Sequence, residues 1–244
     1  MRLELLWCVP AGFAVGLLCV PLFNAVPARW LCDYGEKPSP GLLGKRICAK
    51  PEGVLLGVVF SAAFFLFAVQ YGVSPVFFLI CASAVPLALA AVSDIRYQII
   101  PDECLPAVIL PALAIYLTGL AGKTDYYGSW ASPFLGALAG GGAWLLVGLL
   151  GRAFYRKESV GAGDVKLFAA VGFLCGFPGA VYAFILTILL AGILFLVLML
   201  LRRIKPEQYM PMGPYICAAC LLELAFRSRI AALAQWYLSI IRGG

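Results

Sequence analysis

Two carboxylates in this sequence sit where an acid needs a reason. Asp94 lies in Ala91-Val92-Ser93-Asp94-Ile95-Arg96 at the end of a long apolar run, and Asp164 follows Gly161-Ala162-Gly163 at the start of another. An acid at a helix C-terminus opposes the helix dipole, and acids that touch a membrane region are costly enough to be functional candidates by default. Two carboxylates brought together cannot both ionise easily, so they share a proton. Such a pair activates a water with one member and protonates a leaving amine with the other, which is peptide hydrolysis without histidine or metal. The plainer alternatives are neutralisation of Asp94 by Arg96, and a helix start with an acidic first turn at Asp164.

The rest of the inventory narrows the choice. The 244 residues include no histidine, so Ser-His-Asp triads, Cys-His pairs and H-E-x-x-H zinc sites are excluded. Of the twelve acids, Asp33, Glu36, Glu52, Asp125, Glu158 and Glu207 fall in polar connections and read as solvated charges. Glu4 stands at the outer start of the first apolar run. Glu223 is well inside the last, where it pairs with an Arg near 227 or stays protonated. Pro101 and Asp102 suit the opening of a helix, Pro for the first turn and the acid for the dipole. Gly161 and Gly163 permit positive φ and close backbone approach beside Asp164. Cys217 and Cys220 form a C-x-x-C in apolar surroundings and read as packing rather than as a redox or metal pair. Cys32 and Cys48 share a polar loop and could bond to each other only in an oxidising compartment.

The elements that must hold these residues are membrane helices. The chain is 63% hydrophobic and 12% charged, half the charge of an average soluble domain, and its mean hydropathy is +0.98. Runs near 3–25, 54–71, 74–93, 103–121, 132–150, 164–176, 178–201 and 211–226 read as spans. The sixth is short, and Phe177-Pro178-Gly179 makes a tight reversal after it. The stretch 228–241, with Trp236 and Tyr237, suits a half-span or an interfacial helix. The first run reads as a retained span rather than a cleaved signal. The connections 27–53, 94–102, 151–163 and 202–210 carry twelve Lys and Arg, which places them in the cytoplasm together with Asp94 and Asp164. The net charge of +6 follows from that bias and does not call for nucleic acid. The expected architecture is all-α: a polytopic membrane helix bundle of about eight transmembrane helices with a short first cytoplasmic loop. It divides into a first span at 1–26, a loop at 27–53 and a membrane core at 54–244.

Gly161-Ala-Gly-Asp-Val-Lys166, with an Asp on an earlier span followed by Ile100-Pro101-Asp102, resembles the prepilin peptidase family, the type IV leader peptidases of the GxGD class of intramembrane aspartyl proteases. Pro211-Met-Gly213-Pro214-Tyr is similar to that family's P-x-G-P-(Y/F). Gly16-Leu17 to Leu22-Phe23-Asn24 is a weaker match to its G-S-F-L-N stretch. The resemblance covers about residues 54–226. It implies that Asp94 and Asp164 are the catalytic pair, that Gly161 and Gly163 shape the turn presenting Asp164, and that Pro211, Gly213 and Pro214 kink the last span near the site. Lys166 would anchor to headgroups, pair with a carboxylate or snorkel.

The implied protein is an inner-membrane endopeptidase that removes a basic leader after a Gly from type IV prepilins or pseudopilins at the cytoplasmic face. Its partners would be those precursors and membrane lipid. Asp94, Asp102, Glu103 and Asp164 would attract the basic leader. Many members carry two C-x-x-C pairs in a longer first loop, attributed to zinc; here that loop has only Cys32 and Cys48, too few ligands for a structural site, so no metal and no cofactor are expected. In bifunctional members the same loop is tied to N-methylation. Its shortening argues against that activity, and S-adenosylmethionine is expected only if the activity is retained. A proton-coupled transporter is the alternative, and it calls for mid-bilayer carboxylates and a repeat that the sequence lacks. A presenilin-like protease calls for Y-D and P-A-L, where this chain has Ser93-Asp94 and Pro211-Met-Gly-Pro.

Overall fold

The computed structural model describes residues 4–32, 44–155, 160–203 and 210–241. Asp33, Glu36, Glu158 and Glu207, and the basic Lys37, Arg156, Lys157 and Lys205, lie outside the described residues. Within them the chain forms eight α-helices: α1 (Glu4–Ala25), α2 (Val54–Tyr71), α3 (Pro75–Tyr97), α4 (Cys104–Leu120), α5 (Ser132–Tyr155), α6 (Ala162–Cys175), α7 (Gly179–Leu200) and α8 (Gly213–Ile241). The all-α membrane bundle expected from hydropathy is the observed one. α1, α2, α3, α5 and α7 are long and apolar enough to cross a membrane. α4 has 17 residues and α6 has 14.

Two expectations need correction. The last span and the stretch after it are one helix, bent at Phe226 (φ −121°, ψ 21°). The kink is therefore not made by Pro211, Gly213 and Pro214. α8 begins at Gly213, and Pro214 sits in its first turn, where a missing N–H costs nothing. Likewise α4 starts at Cys104, so Pro101 and Asp102 belong to the turn before it rather than to its first turn.

Helix contacts are close where side chains are small. α1 meets α2 through Gly16 and Gly57, where a Cβ on Gly16 would lie 2.5 Å from the Gly57 backbone. α5 meets α6 through Gly136 and Gly172, whose backbones touch directly. Small residues at such crossings let helices approach where lipid supplies no hydrophobic drive. Trp144, Phe168 and Phe184 then lock α5, α6 and α7 together, with ring centroids 5.6–5.8 Å apart.

α6 is too short to reach both membrane surfaces, so its last carbonyls need partners inside the protein. Tyr126 Oη donates to Leu174 O at 3.1 Å, Tyr127 Oη to Phe173 O at 3.0 Å, and Arg227 Nη2 to Cys175 O at 2.6 Å. Gly176, at φ 67°, turns the chain out of the helix in the left-handed region, beside Ser132, whose backbone and side chain both bind Phe177. Arg227 also lies 4.2 Å from the Tyr126 ring centroid and 3.9 Å from the fully buried Glu223 carboxylate. Glu223 thus has the arginine partner expected of it. Cys217 and Cys220 are buried, and Cys220 Sγ faces Cys175 Sγ at 3.8 Å rather than Cys217. Cys32 and Cys48 are not bonded to each other.

Arg227 is predicted to hold this end of the bundle. Arg227→Met leaves Glu223 buried without its cation and should destabilise the protein by about 3–5 kcal/mol. A second change, Glu223→Gln, should recover part of that loss. Chemical denaturation in detergent of the three variants checks both statements.

Candidate active site

The helix order puts the C-termini of α1 and α3 and the N-termini of α4, α6 and α8 on one side of the bundle. α3 packs on α4 and α8, and α6 packs on the same two helices. Asp94 and Asp164 therefore meet across α4 and the start of α8, although they are seventy positions apart.

Asp94 lies in the last turn of α3 and is 3% exposed. Its backbone carbonyl accepts the N–H of Gln98, which turns left-handed at φ 55° and ends the helix. Ser93 Oγ donates to Ile99 O at 2.6 Å and draws the following loop back over the site. The Asp94 carboxylate takes its hydrogen bond from another helix: Gly213 N–H donates to Oδ2 at 2.7 Å. That donor is the first residue of α8, so the acid sits at the positive end of a 29-residue helix. Only glycine fits there, since a Cβ would lie 2.7 Å from Asp94 Oδ2. Arg96, which the plainer alternative made the neutraliser of Asp94, forms its ion pair with Glu52 instead. Glu52 is thus not a free solvated charge, whereas Asp125 is exposed as expected.

Asp164 stands in the first turn of α6 and is 5% exposed. Its Oδ1 is buried with no hydrogen-bond partner. The two carboxylates are close enough to act on each other electrostatically. Gly161 caps the helix from an extended conformation (φ −70°, ψ 144°), and Gly163 is not among the positive-φ residues. Positive φ is therefore not what the glycines supply. Gly161 supplies room, since a Cβ there would come 3.3 Å from Asp164 Oδ2, whereas a Cβ on Gly163 would stand 3.4 Å from Ile100, an ordinary contact.

Ile100 belongs to the loop between α3 and α4, and that loop is tied down a second time. Lys166 Nζ donates to both Asp102 oxygens at 3.0 and 2.9 Å. Asp102 and Lys166 thus form a half-exposed clamp between the loop and α6, and Lys166 has a carboxylate partner as one of its expected roles required. Pro211 precedes α8 and Pro214 lies within its first turn, next to the Gly213 donor. Beneath the pair, one turn into α8, Cys217 is buried within electrostatic reach of Asp94, Asp164 and Cys104.

Sequence reasoning missed the Gly213 N–H as the partner of Asp94, and missed Cys217 as part of the floor. The spacing of four between positions 213 and 217 is the signal that would have found the second, since it puts both on one helix face. Among the described residues no group of three or more Cys, Asp or Glu could hold a metal ion. The arrangement offers a water molecule two carboxylates, one held by a backbone N–H and one with an oxygen unclaimed. That is what acid–base hydrolysis requires.

A model of the type IV leader peptidase family matches residues 79–196. Three proteins named prepilin leader peptidase/N-methyltransferase are similar to the chain. The one from Bacillus subtilis is 30% identical over 162 residues, covering 66% of this chain and 61% of that protein. The one from Xanthomonas campestris is 30% identical over 127 residues, covering 52% and 42%. The one from Aeromonas salmonicida is 30% identical over 151 residues, covering 61% and 48%. The chain thus spans roughly half the length of these curated relatives. No solved structure matches it. The matched region runs from α3 into α7 and contains both aspartates: residues 79–196 belong to the type IV leader peptidase family.

Proposed function

We propose that the protein is a membrane aspartyl endopeptidase that removes the basic leader from type IV prepilins or pseudopilins after a Gly, at the cytoplasmic face of the inner membrane. The observation that carries this reading is the burial of Asp94 and Asp164 at one end of the bundle, within electrostatic reach of each other. Their position in terminal helix turns favours hydrolysis at the membrane surface over proton transfer through the bilayer. In the reaction, one carboxylate is ionised and the other carries the shared proton. The ionised one takes a proton from water as its oxygen attacks the peptide carbonyl carbon. The protonated one gives its proton to the carbonyl oxygen. Collapse of the tetrahedral species breaks the C–N bond, a proton passes to the leaving amine, and a carboxylic acid and an amine are released without an acyl-enzyme. Gly213 N–H keeps Asp94 in place throughout.

The relatives' names include an N-methyltransferase. The loop connected with that activity, 27–53, is described over 27–32 and 44–53, and the proposed activity is hydrolysis alone, without S-adenosylmethionine or zinc.

Asp94→Asn and Asp164→Asn should each lower cleavage of a purified precursor by roughly 10²- to 10⁴-fold or more; full cleavage by either variant would sink the assignment. Gly213→Ala adds a methyl where the Asp94 carboxylate stands. It should cost about 10²-fold in kcat, the usual consequence of an ångström-scale misplacement, with the thermal midpoint little changed. Wild-type kcat in that variant would remove Gly213 from the machinery.

A further inference from the structure

A groove opens beside the dyad on the face made by α1, α3 and α4. Its volume is about 190 Å³, room for a single large apolar side chain. Phe23 and Trp30 wall it from the end of α1 and the 3-10 turn after it, Pro86 and Leu89 from α3, and Ala107 from α4. Leu89 and Pro86 precede Asp94 by five and eight residues, so the groove descends about 7 to 12 Å along α3 from the level of the dyad. Among the described residues, Glu103, exposed at the start of α4, is the one charged side chain lining it.

The walls are built to last. Asn24 Oδ1 accepts from the N–H groups of Arg46 and Ile47 at 2.8 and 3.1 Å, and its Nδ2 donates to Ile47 O at 2.9 Å. Arg46 spends its guanidinium on the carbonyls of Phe23 and Val26, at 3.2 and 2.5 Å. The Arg46 guanidinium is thereby committed to the C-terminal carbonyls of α1. Of the four acids near the site, two form the dyad and Asp102 is neutralised by Lys166. Glu103 is left to act on whatever enters. An acid at this place repels phosphate headgroups and attracts a cationic chain.

The groove's rim includes Pro101, two residues beyond Ile99, whose carbonyl is bonded to Ser93 beside Asp94, and Cys104 lines it from the start of α4. A side chain seated in the groove lies next to the loop that ends at the dyad. The chemistry selects a polypeptide that is basic outside the membrane and apolar directly inside it.

We infer that the groove between α1, α3 and α4 seats the first apolar side chain of the substrate's membrane segment, with Glu103 facing the basic segment that precedes it. This rests on the peptidase reading above and adds the part of the substrate that the groove recognises. An apolar anchor in a desolvated pocket fixes the chain lengthwise, and the rim charge selects for sign and speeds encounter.

The test uses the full-length Asp94→Asn chain in lipid vesicles with a photoreactive residue introduced at Ala107. The substrate is a synthetic precursor with a basic leader, a Gly and an apolar span. Illumination should give an adduct at the first apolar residues after the Gly, abolished by excess unlabelled precursor. The same probe at Leu196, a lipid-facing residue of α7 that is 56% exposed, should give none. Adducts with lipid only, or equal adducts from both positions, overturn the inference. In a second arm, Glu103→Lys in the active chain should raise KM for the basic-leader precursor roughly three- to tenfold, and an acidic leader should restore it. A loss confined to kcat, or an equal loss with both leaders, also overturns it. Cleavage by the wild-type chain without a specific adduct rejects the groove alone. An adduct without any wild-type cleavage supports the groove and rejects the peptidase. Neither cleavage nor adduct rejects both.

Discussion

The structure turns on one hydrogen bond, from the backbone N–H of Gly213 to the carboxylate of Asp94. A buried carboxylate needs either a partner or a proton. A cationic side chain would neutralise Asp94 and end its usefulness as a base. A backbone N–H at a helix start holds the acid in place and leaves its second oxygen free. To bring that N–H within reach, α8 must begin at the level where α3 ends, with no side chain on its first residue. The packing of α3 on α8 and the Pro-x-Gly-Pro sequence at 211–214 both serve this fit. The charges that could interfere are turned elsewhere, Arg96 to Glu52 and Lys166 to Asp102.

The second requirement is to bring Asp164 to the same level from a helix that cannot span. α6 is suspended between two sets of contacts. At one end Lys166 holds it to the loop between α3 and α4. At the other, Tyr126, Tyr127 and Arg227 satisfy the carbonyls that would otherwise face the apolar interior. Glycine contact with α5 keeps the helix from rotating. The buried Glu223–Arg227 pair lies at the far end of α6 from the dyad, where Arg227 holds the Cys175 carbonyl.

Much of this was legible in the sequence. α2 runs over the expected 54–71, and α4, α6 and α7 differ from the expected spans by one or two residues at each end, because Gly, Pro or, after α7, a pair of arginines bounds these apolar runs. The two aspartates stood out because the bilayer makes every acid costly, and the lack of histidine left little else to do chemistry. The partners of the charges were not legible. Lys166 and Asp102 are 64 positions apart, and Arg96 and Glu52 are 44 apart, so only the packed bundle decides them. The proline-rich start of α8 was misread as a kink because the same residues that bend a helix interior also begin a helix. Phe226, where α8 does bend, carries no such mark. The donor to Asp94 was invisible for a simpler reason: a backbone N–H has no letter in the sequence.

The central claim is that Asp94 and Asp164 act on one atom together. The most direct measurement is an experimental structure of the full-length chain with a peptide inhibitor carrying a hydroxyl in place of the cleaved carbonyl. The account predicts that hydroxyl between the two carboxylates, within hydrogen-bond distance of both, with Gly213 N–H still on Asp94. A hydroxyl bound by one aspartate alone, or by neither, would contradict it.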